Sequence, residues 1–102
     1  MKKEETVRVM VCRTHKAEIK EIPNTLEAFQ GLVKGPIEVF KVFSDPDLVT
    51  LCNEEGYLRN MLPNPYFVGI VGTVVVCGKR GEEFASLTDA QVSTLKRLLW
   101  RC

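Results

Sequence analysis

The segment from Phe67 to Cys77, FVGIVGTVVVC, is the longest apolar run of the sequence and contains Gly69, Gly72 and Thr73. It is shorter than the ~18 apolar residues of a membrane-spanning helix. Both faces of an extended chain would be apolar here, which is the pattern of a strand buried on both sides. We therefore predict a central β-strand over this segment, with Gly72 marking a bulge or a close backbone approach.

Shorter strand patterns lie on both sides of this run. Val7, Val9 and Val11 alternate with other residues, as expected for a strand with one core-facing side. Residues 17–22 are more polar, which suits an exposed edge strand. The predicted strands are 6–12 and 17–22 in a first hairpin, 37–43 and 48–52 in a second hairpin, and a brief edge strand at 82–85.

Two capping patterns predict helices. Asn24 followed by Glu27 indicates a capping box at the start of a helix over residues 25–34, and Thr88 followed by Gln91 indicates a second box. Each pattern precedes apolar residues at helical spacing. The apolar stripes are Leu26, Phe29 and Val33 in the first helix and Val92, Leu95 and Leu99 in the second.

Together these elements predict an α+β fold, with a mixed, mostly antiparallel sheet of about five or six strands packed against two helices. The length of 102 residues suits a single domain spanning residues 1–102. The connections within the two hairpins are short, but the order of the strands in the sheet is left open.

The charge balance argues against several classes of function. The formal net charge is +1, without the basic excess typical of proteins that follow a phosphate backbone, although a local basic patch stays open. The charged start of the chain lacks the apolar core of a secretory signal, and no segment is suited to a membrane helix. We therefore expect a cytoplasmic protein with no membrane partner.

The four cysteines, Cys12, Cys52, Cys77 and Cys102, are widely spaced and form no C-x-x-C pair. Zinc ligands normally come in close pairs, so the spacing argues against a metal site. Three of the cysteines lie in apolar strand patterns, where a thiol behaves as a small apolar side chain. We expect buried free thiols, an exposed Cys102, and no cofactor.

Adjacent glutamates, Glu54 and Glu55, are the most suggestive carboxylate pair. Two catalytic carboxylates must face one substrate, whereas neighbouring residues in a strand or tight turn point apart. Asn53 before the pair and Gly56 after it fit a hairpin turn in which Gly56 adopts a positive φ and Tyr57 begins a return strand. We predict no catalytic residues, and an acidic contact surface is the alternative role of the pair.

The loop over residues 57–67 combines aromatic, apolar and basic residues with weak secondary-structure signals. Tyr, Met and Arg are enriched at recognition surfaces. One interpretation is that Leu62 and Phe67 fix this loop to the core, and the other is that the loop contacts a partner. The partner-binding candidates are Tyr57, Arg59, Met61, Tyr66, Glu54 and Glu55.

A second surface could come from basic residues in two loops. The segment GKRG at residues 78–81 lacks the spacing of a phosphate-binding P-loop, and its composition predicts a turn. His15 has no neighbouring nucleophile in the sequence and reads as a loop histidine. If the two loops are adjacent, the basic patch would consist of Arg13, His15, Lys16, Lys79 and Arg80.

Four blocks of the sequence carry a family resemblance: IPNTLEAFQGLVKGPIEV, LCNEEGYL, VGIVGTVVV and FASLTDAQV. In this order they resemble a small domain-of-unknown-function family of bacterial phages and conjugative or other mobile elements. The shared pattern is a Leu-Glu helix, an Asn-Glu-Glu-Gly turn, a Gly-Thr strand and a Ser-Leu-Thr-Asp-x-Gln helix start. The resemblance implies a mobile-element origin and a bacterial cytoplasm, and it implies no catalytic residues.

The function expected from these observations is that of a non-enzymatic accessory protein that binds a host protein or ribonucleoprotein, for example an anti-defence inhibitor of the anti-CRISPR type. One alternative is a module that sequesters a small ligand such as a signalling nucleotide. Another is a regulator that binds nucleic acid. The apolar stripe of the last helix, with Trp100, also makes a homodimer plausible.

Overall fold

The computed structural model describes residues 5–100. Within this range the chain forms six strands and two helices, so the predicted α+β class is confirmed. Cys102, expected to be exposed, lies outside the described residues. The elements are β1 (Thr6–Cys12), β2 (Ala17–Pro23), α1 (Leu26–Val33), β3 (Ile37–Phe40), β4 (Leu48–Asn53), β5 (Val74–Arg80), β6 (Glu83–Ala85) and α2 (Asp89–Leu99).

The strands form one sheet in the order β2-β1-β5-β4-β3, and the short β6 also pairs with β5. Every pairing is antiparallel, and the two predicted hairpins are β1–β2 and β3–β4. The predicted central strand is therefore confirmed as β5, and β2 is confirmed as an edge strand.

The central strand is shorter than the apolar run that predicts it. It begins at Val74, and the residues from Phe67 to Thr73 form turns with one isolated bridge between Pro63 and Val71. Gly69 and Gly72 have φ values of 84° and 81°, which a β-strand does not accommodate. The first half of the predicted strand is therefore wrong, because the backbone turns at its glycines.

Both faces of the sheet are covered, so the domain has three layers. One core cluster contains Val7, Val9 and Val11 of β1 packed with Phe29 and Val33 of α1. The alternate residues Met10 and Cys12 face the second cluster, with Leu95 of α2 and Phe67 of the loop before β5. The alternation in β1 thus assigns its residues to the two faces correctly, but the expectation of a single core-facing side is wrong, because Met10 and Cys12 are also buried.

The helix starts differ in how well the sequence predicts them. In α2, Thr88 and Gln91 form the predicted capping box. In α1 the cap is Thr25, whose hydroxyl accepts from the Ala28 amide, so the prediction of Asn24 as the cap is wrong. Asn24 is buried instead and donates to the Phe84 carbonyl at 3.3 Å.

Candidate functional site

The connection between β4 and β5 begins with a turn at Asn53. Its side-chain Oδ1 accepts from the Glu55 amide at 2.6 Å, and its carbonyl accepts from the Gly56 amide at 3.3 Å. The turn predicted around the two glutamates is therefore present. The return strand predicted at Tyr57 is wrong, because residues 54–60 continue in consecutive turns.

Gly56 is needed for space, not for a positive φ. It is not among the residues with positive φ, so that part of the turn prediction is wrong. A Cβ atom at Gly56 would lie 2.7 Å from Cγ2 of Val71. The absence of a side chain therefore lets the first arm of the connection, residues 54–61, lie directly against the second arm, residues 62–72.

Asn53 and Arg59 also hold the first arm to helix α1. The amide Nδ2 of Asn53 donates to the carbonyls of Val33 and Lys34 at 2.9 and 3.0 Å. The guanidinium of Arg59 donates to the Lys34 carbonyl at 3.2 Å and forms an ion pair with Glu55 at 3.4 Å. These donors satisfy carbonyls that the end of a helix leaves without intrahelical partners.

The second arm is fixed to the sheet by Asn64, which is buried. Its Nδ2 donates to the carbonyls of Cys12 and Gly72, each at 2.8 Å, and its Oδ1 accepts from the Tyr66 amide at 2.9 Å. The Asn64 amide donates to the Ile70 carbonyl at 2.8 Å. Residues 62–72 therefore form a closed, hydrogen-bonded loop anchored on strand β1.

Four large apolar side chains on these two arms are exposed to solvent, and we call them the apolar loop face. Their exposed fractions are 69% for Tyr57, 84% for Leu58, 67% for Leu62 and 104% for Val68. The Tyr57 hydroxyl donates to the Gly69 carbonyl, which brings the first arm next to the tip that carries Val68. Large apolar side chains exposed on an ordered backbone are candidates for a protein-contact surface.

Only one of the two residues expected to fix this loop to the core does so. Phe67 is buried and packs edge-on against Phe40 and Phe43, as predicted for a residue that fixes the loop to the core. Leu62 does not share that role, because it is largely exposed. The sequence does not predict that Val68 is exposed, because Val68 lies within the run interpreted as a strand.

The six partner-binding candidates are exposed to different degrees. Tyr57 projects into solvent, and Glu54 is exposed close to it in the chain. Met61 and Tyr66 are half-buried, with the Met61 sulfur against Gly72 and Tyr66 packed on the second core cluster. Arg59 and Glu55 form an ion pair with each other at the surface, and about half of each side chain stays exposed.

The basic residues lie at two separate ends of the sheet. Cys12 pairs with Val74, which places Arg13, His15 and Lys16 beyond the first residue of β5. Lys79 and Arg80 end the same strand, about 20 Å away at ~3.3 Å per residue. Arg13 also forms an ion pair with Glu18. The two loops therefore do not combine into a single basic patch.

Three cysteines are buried free thiols, as expected from their apolar surroundings. Burial raises the pKa of the Cys12 and Cys77 thiols from 9.0 to about 12. Burial, with a smaller contribution from the Glu38 carboxylate, also raises the pKa of Cys52. In residues 5–100, no three His, Cys, Asp or Glu side chains are grouped so that they could hold a metal ion.

These pKa shifts predict protected thiols and a loss of stability at alkaline pH. The folded chain keeps thiol protons that the unfolded chain releases above pH 9, so the stability present below pH 9 declines as pH rises towards 12. The free energy of unfolding falls by at most about 1.4 kcal/mol per pH unit for each buried thiol. Denaturant unfolding between pH 8 and 11 measures it, and a Cys12→Ala, Cys77→Ala variant is expected to show a shallower slope.

Alkylation tests the same burial directly. In a Cys102→Ser background, iodoacetamide at pH 8 is expected to leave the native chain unmodified and to label Cys12, Cys52 and Cys77 only in denaturant, as read by mass spectrometry. Rapid labelling of Cys12 in the native chain would contradict the packing of β1 against the second core cluster.

The fold and this loop define a small α+β domain that places an ordered apolar loop face at one end of an antiparallel sheet. The chain belongs to the family described as Domain of unknown function (DUF3846), whose match covers residues 7–99. The resemblance carried by the four sequence blocks is thereby confirmed at the level of a domain of unknown function.

Comparisons with curated proteins and with solved structures give no match. Neither helix described in residues 5–100 is long and apolar enough to cross a membrane.

Proposed function

We propose that the chain is a non-enzymatic binding protein that contacts a partner protein through the apolar loop face. The observation that supports this proposal most is the exposure of Tyr57, Leu58, Leu62 and Val68 on a backbone held by internal hydrogen bonds. An ordered loop loses less conformational freedom on binding than a flexible one, so its apolar contacts contribute more to affinity. Polar residues beside the face, including Glu54 and Asn60, suit the rim of such an interface.

We further propose that the partner is a host protein or ribonucleoprotein in the cytoplasm of a bacterium that carries a phage or mobile element. An anti-defence inhibitor of the anti-CRISPR type is one form of this function. The support is the order of the four sequence blocks, together with a sequence in which no nucleophile, base and stabilising group come together.

The alternatives use different surfaces. A nucleic-acid regulator would use two separate basic groups, one of which includes the ion-paired Arg13. A small-ligand module could use the open groove of about 440 Å³ between residues 42–45 and α2, which lies outside the 57–67 loop. The apolar loop face favours a protein partner over both.

The proposal predicts that charge on the loop face abolishes partner binding without unfolding the protein. A Leu58→Asp, Val68→Asp variant places two carboxylates on the most exposed apolar positions, and its melting temperature is expected to stay within about 2 °C of the original. Burying these charges in an interface is expected to weaken binding by roughly 100-fold or more. Pull-down from host lysate identifies the partner, and calorimetry with that purified partner measures the affinity.

Two control variants distinguish the apolar face from its charged neighbours. Glu54→Ala, Glu55→Ala tests the acidic alternative, and Lys79→Ala, Arg80→Ala tests one basic group. Both are expected to retain most of the affinity. Full binding by the Leu58→Asp, Val68→Asp variant would place the contact elsewhere, and a flat mobility shift with nucleic acid at low salt would exclude the regulator.

A further inference from the structure

The two edges of the sheet are protected to very different degrees. The edge strand β2 carries Glu18, Lys20 and Glu21 and ends at Pro23, features that oppose pairing with another strand. The opposite edge strand β3 has the sequence IEVF and carries a single charge, on Glu38. Its Val39 is 53% exposed. In the described part of the chain no strand lies beyond β3.

The register of β3 shows which backbone groups point outward. The Glu54 amide donates to the Pro36 carbonyl, and the pairs two and four residues further along are Glu38 with Cys52 and Phe40 with Thr50. In an antiparallel ladder, hydrogen-bonded pairs alternate with pairs that are not bonded. Glu38 and Phe40 therefore bond towards β4, and Ile37 and Val39 direct their N–H and C=O groups away from the sheet.

We propose that β3 pairs antiparallel with β3 of a second copy of this chain, with Val39 on the two-fold axis. The outward backbone groups of Val39 then bond to those of the other Val39, and those of Ile37 bond to Lys41. The two sheets join into one continuous sheet across a symmetric interface.

The side chains favour this register over those centred on Glu38 or Lys41. Centring the pair on Glu38 would place two carboxylates directly opposite each other, and centring it on Lys41 would do the same with two ammonium groups. With Val39 at the centre, Glu38 faces Phe40 and the exposed Val42 faces the exposed Pro36. The two Glu38 side chains are then diagonal neighbours, ~7–8 Å apart.

A second copy fits this edge because the register places no like charges directly opposite each other and because the assembly closes. Joining two β3 edges leaves the charged β2 edges at both ends of the joined sheet, where further strand addition is opposed. The interface also covers the apolar Val39 and Val42 of both copies. This interface does not use the apolar stripe of α2, because Val92, Leu95 and Leu99 pack on the second core cluster.

Cysteine crosslinking tests the register. In a Cys102→Ser background, Val39→Cys places two cysteines at ~5.5 Å between Cα atoms, which lies within the range that a disulfide spans. Lys20→Cys on the β2 edge is the matched control, since it is equally exposed but remote from the proposed axis. Mild oxidation at micromolar protein is expected to convert Val39→Cys almost completely into a disulfide dimer on a non-reducing gel, and to leave Lys20→Cys largely monomeric.

Solution size provides an independent measurement. Sedimentation equilibrium is expected to show a reversible dimer of the original chain, and Val39→Lys is expected to raise the dimer dissociation constant roughly 100-fold through like charges on the axis. Glu38→Gln is expected to lower it about 2- to 5-fold by removing the diagonal repulsion. Both sites are exposed, so the circular dichroism spectrum of the dilute monomer should be unchanged.

A monomer at all concentrations up to about 200 μM, well above the dissociation constants of most specific dimers, would overturn the proposal. It would equally be overturned if Val39→Cys crosslinked no faster than Lys20→Cys, even where a dimer exists, because the dimer would then use another surface.

Discussion

Replacing Phe29 by alanine is expected to lower the free energy of unfolding by about 4 kcal/mol. Phe29 is the buried aromatic of α1, and its ring packs edge-on against Phe84 at a centroid distance of 5.1 Å. Truncation removes this contact and leaves a cavity between α1 and the sheet. For a domain of this size the melting temperature should fall by roughly 15 to 30 °C, which thermal unfolding followed by circular dichroism measures.

Leu26 on the same helix gives the matched control. It is 59% exposed, and its replacement by alanine should change the stability by less than about 0.5 kcal/mol. The spacing of the sequence places Leu26 on the same face as Phe29. The structure corrects this because Leu26 is the first residue of the helix, next to its cap, where the chain has not yet reached the core. A loss at Leu26 as large as that at Phe29 would contradict the orientation of α1.

The features that the sequence predicts well are those set by local chemistry. Alternation in Thr6–Cys12 separates the two core clusters correctly because neighbouring side chains in a strand must point to opposite faces. The capping box of α2 is confirmed because Thr88 and Gln91 satisfy each other's backbone groups without help from the rest of the fold.

The errors arise where distant groups decide between local alternatives. Asn24 and Thr25 are both favourable residues for a helix cap. The Asn24 side chain instead donates to the Phe84 carbonyl, 60 residues away, and is therefore buried. The run from Phe67 to Cys77 reads as one strand because all its residues suit a buried position. Its turn at Gly72 lies directly against Met61 of the opposing arm, a contact that sequence spacing does not reveal.

The same limit applies to the candidate site. Composition points to the 57–67 loop and to Tyr57, whose side chain is exposed as a contact residue requires. It gives no sign that Leu58 and Val68 face solvent, since apolar residues are normally assigned to the core. Leu58 and Val68 can remain exposed because other residues, chiefly Asn64, anchor the loop.

Replacing Asn64 by leucine is therefore expected to affect both stability and the apolar loop face. Leucine has a similar size but cannot serve the carbonyls of Cys12 and Gly72 or the amide of Tyr66. Each buried polar group left without a partner costs ~1–3 kcal/mol, so we expect a loss of at least about 3 kcal/mol in the free energy of unfolding. Denaturant unfolding measures this loss, and Leu62→Ala in the same loop should change stability by less than about 0.5 kcal/mol.

Hydrogen exchange locates the effect of Asn64→Leu. The amides of residue 64 and Gly72 close the loop through the Ile70 and Leu62 carbonyls, so both are expected to exchange faster in the variant under conditions where the folded state persists. The amides of α1 on the other side of the sheet should exchange faster only as far as the loss of global stability requires. If the loop amides keep their protection, Asn64 does not hold the loop, and the ordering of the apolar loop face must come from the packing of Phe67 and Tyr66 on the core.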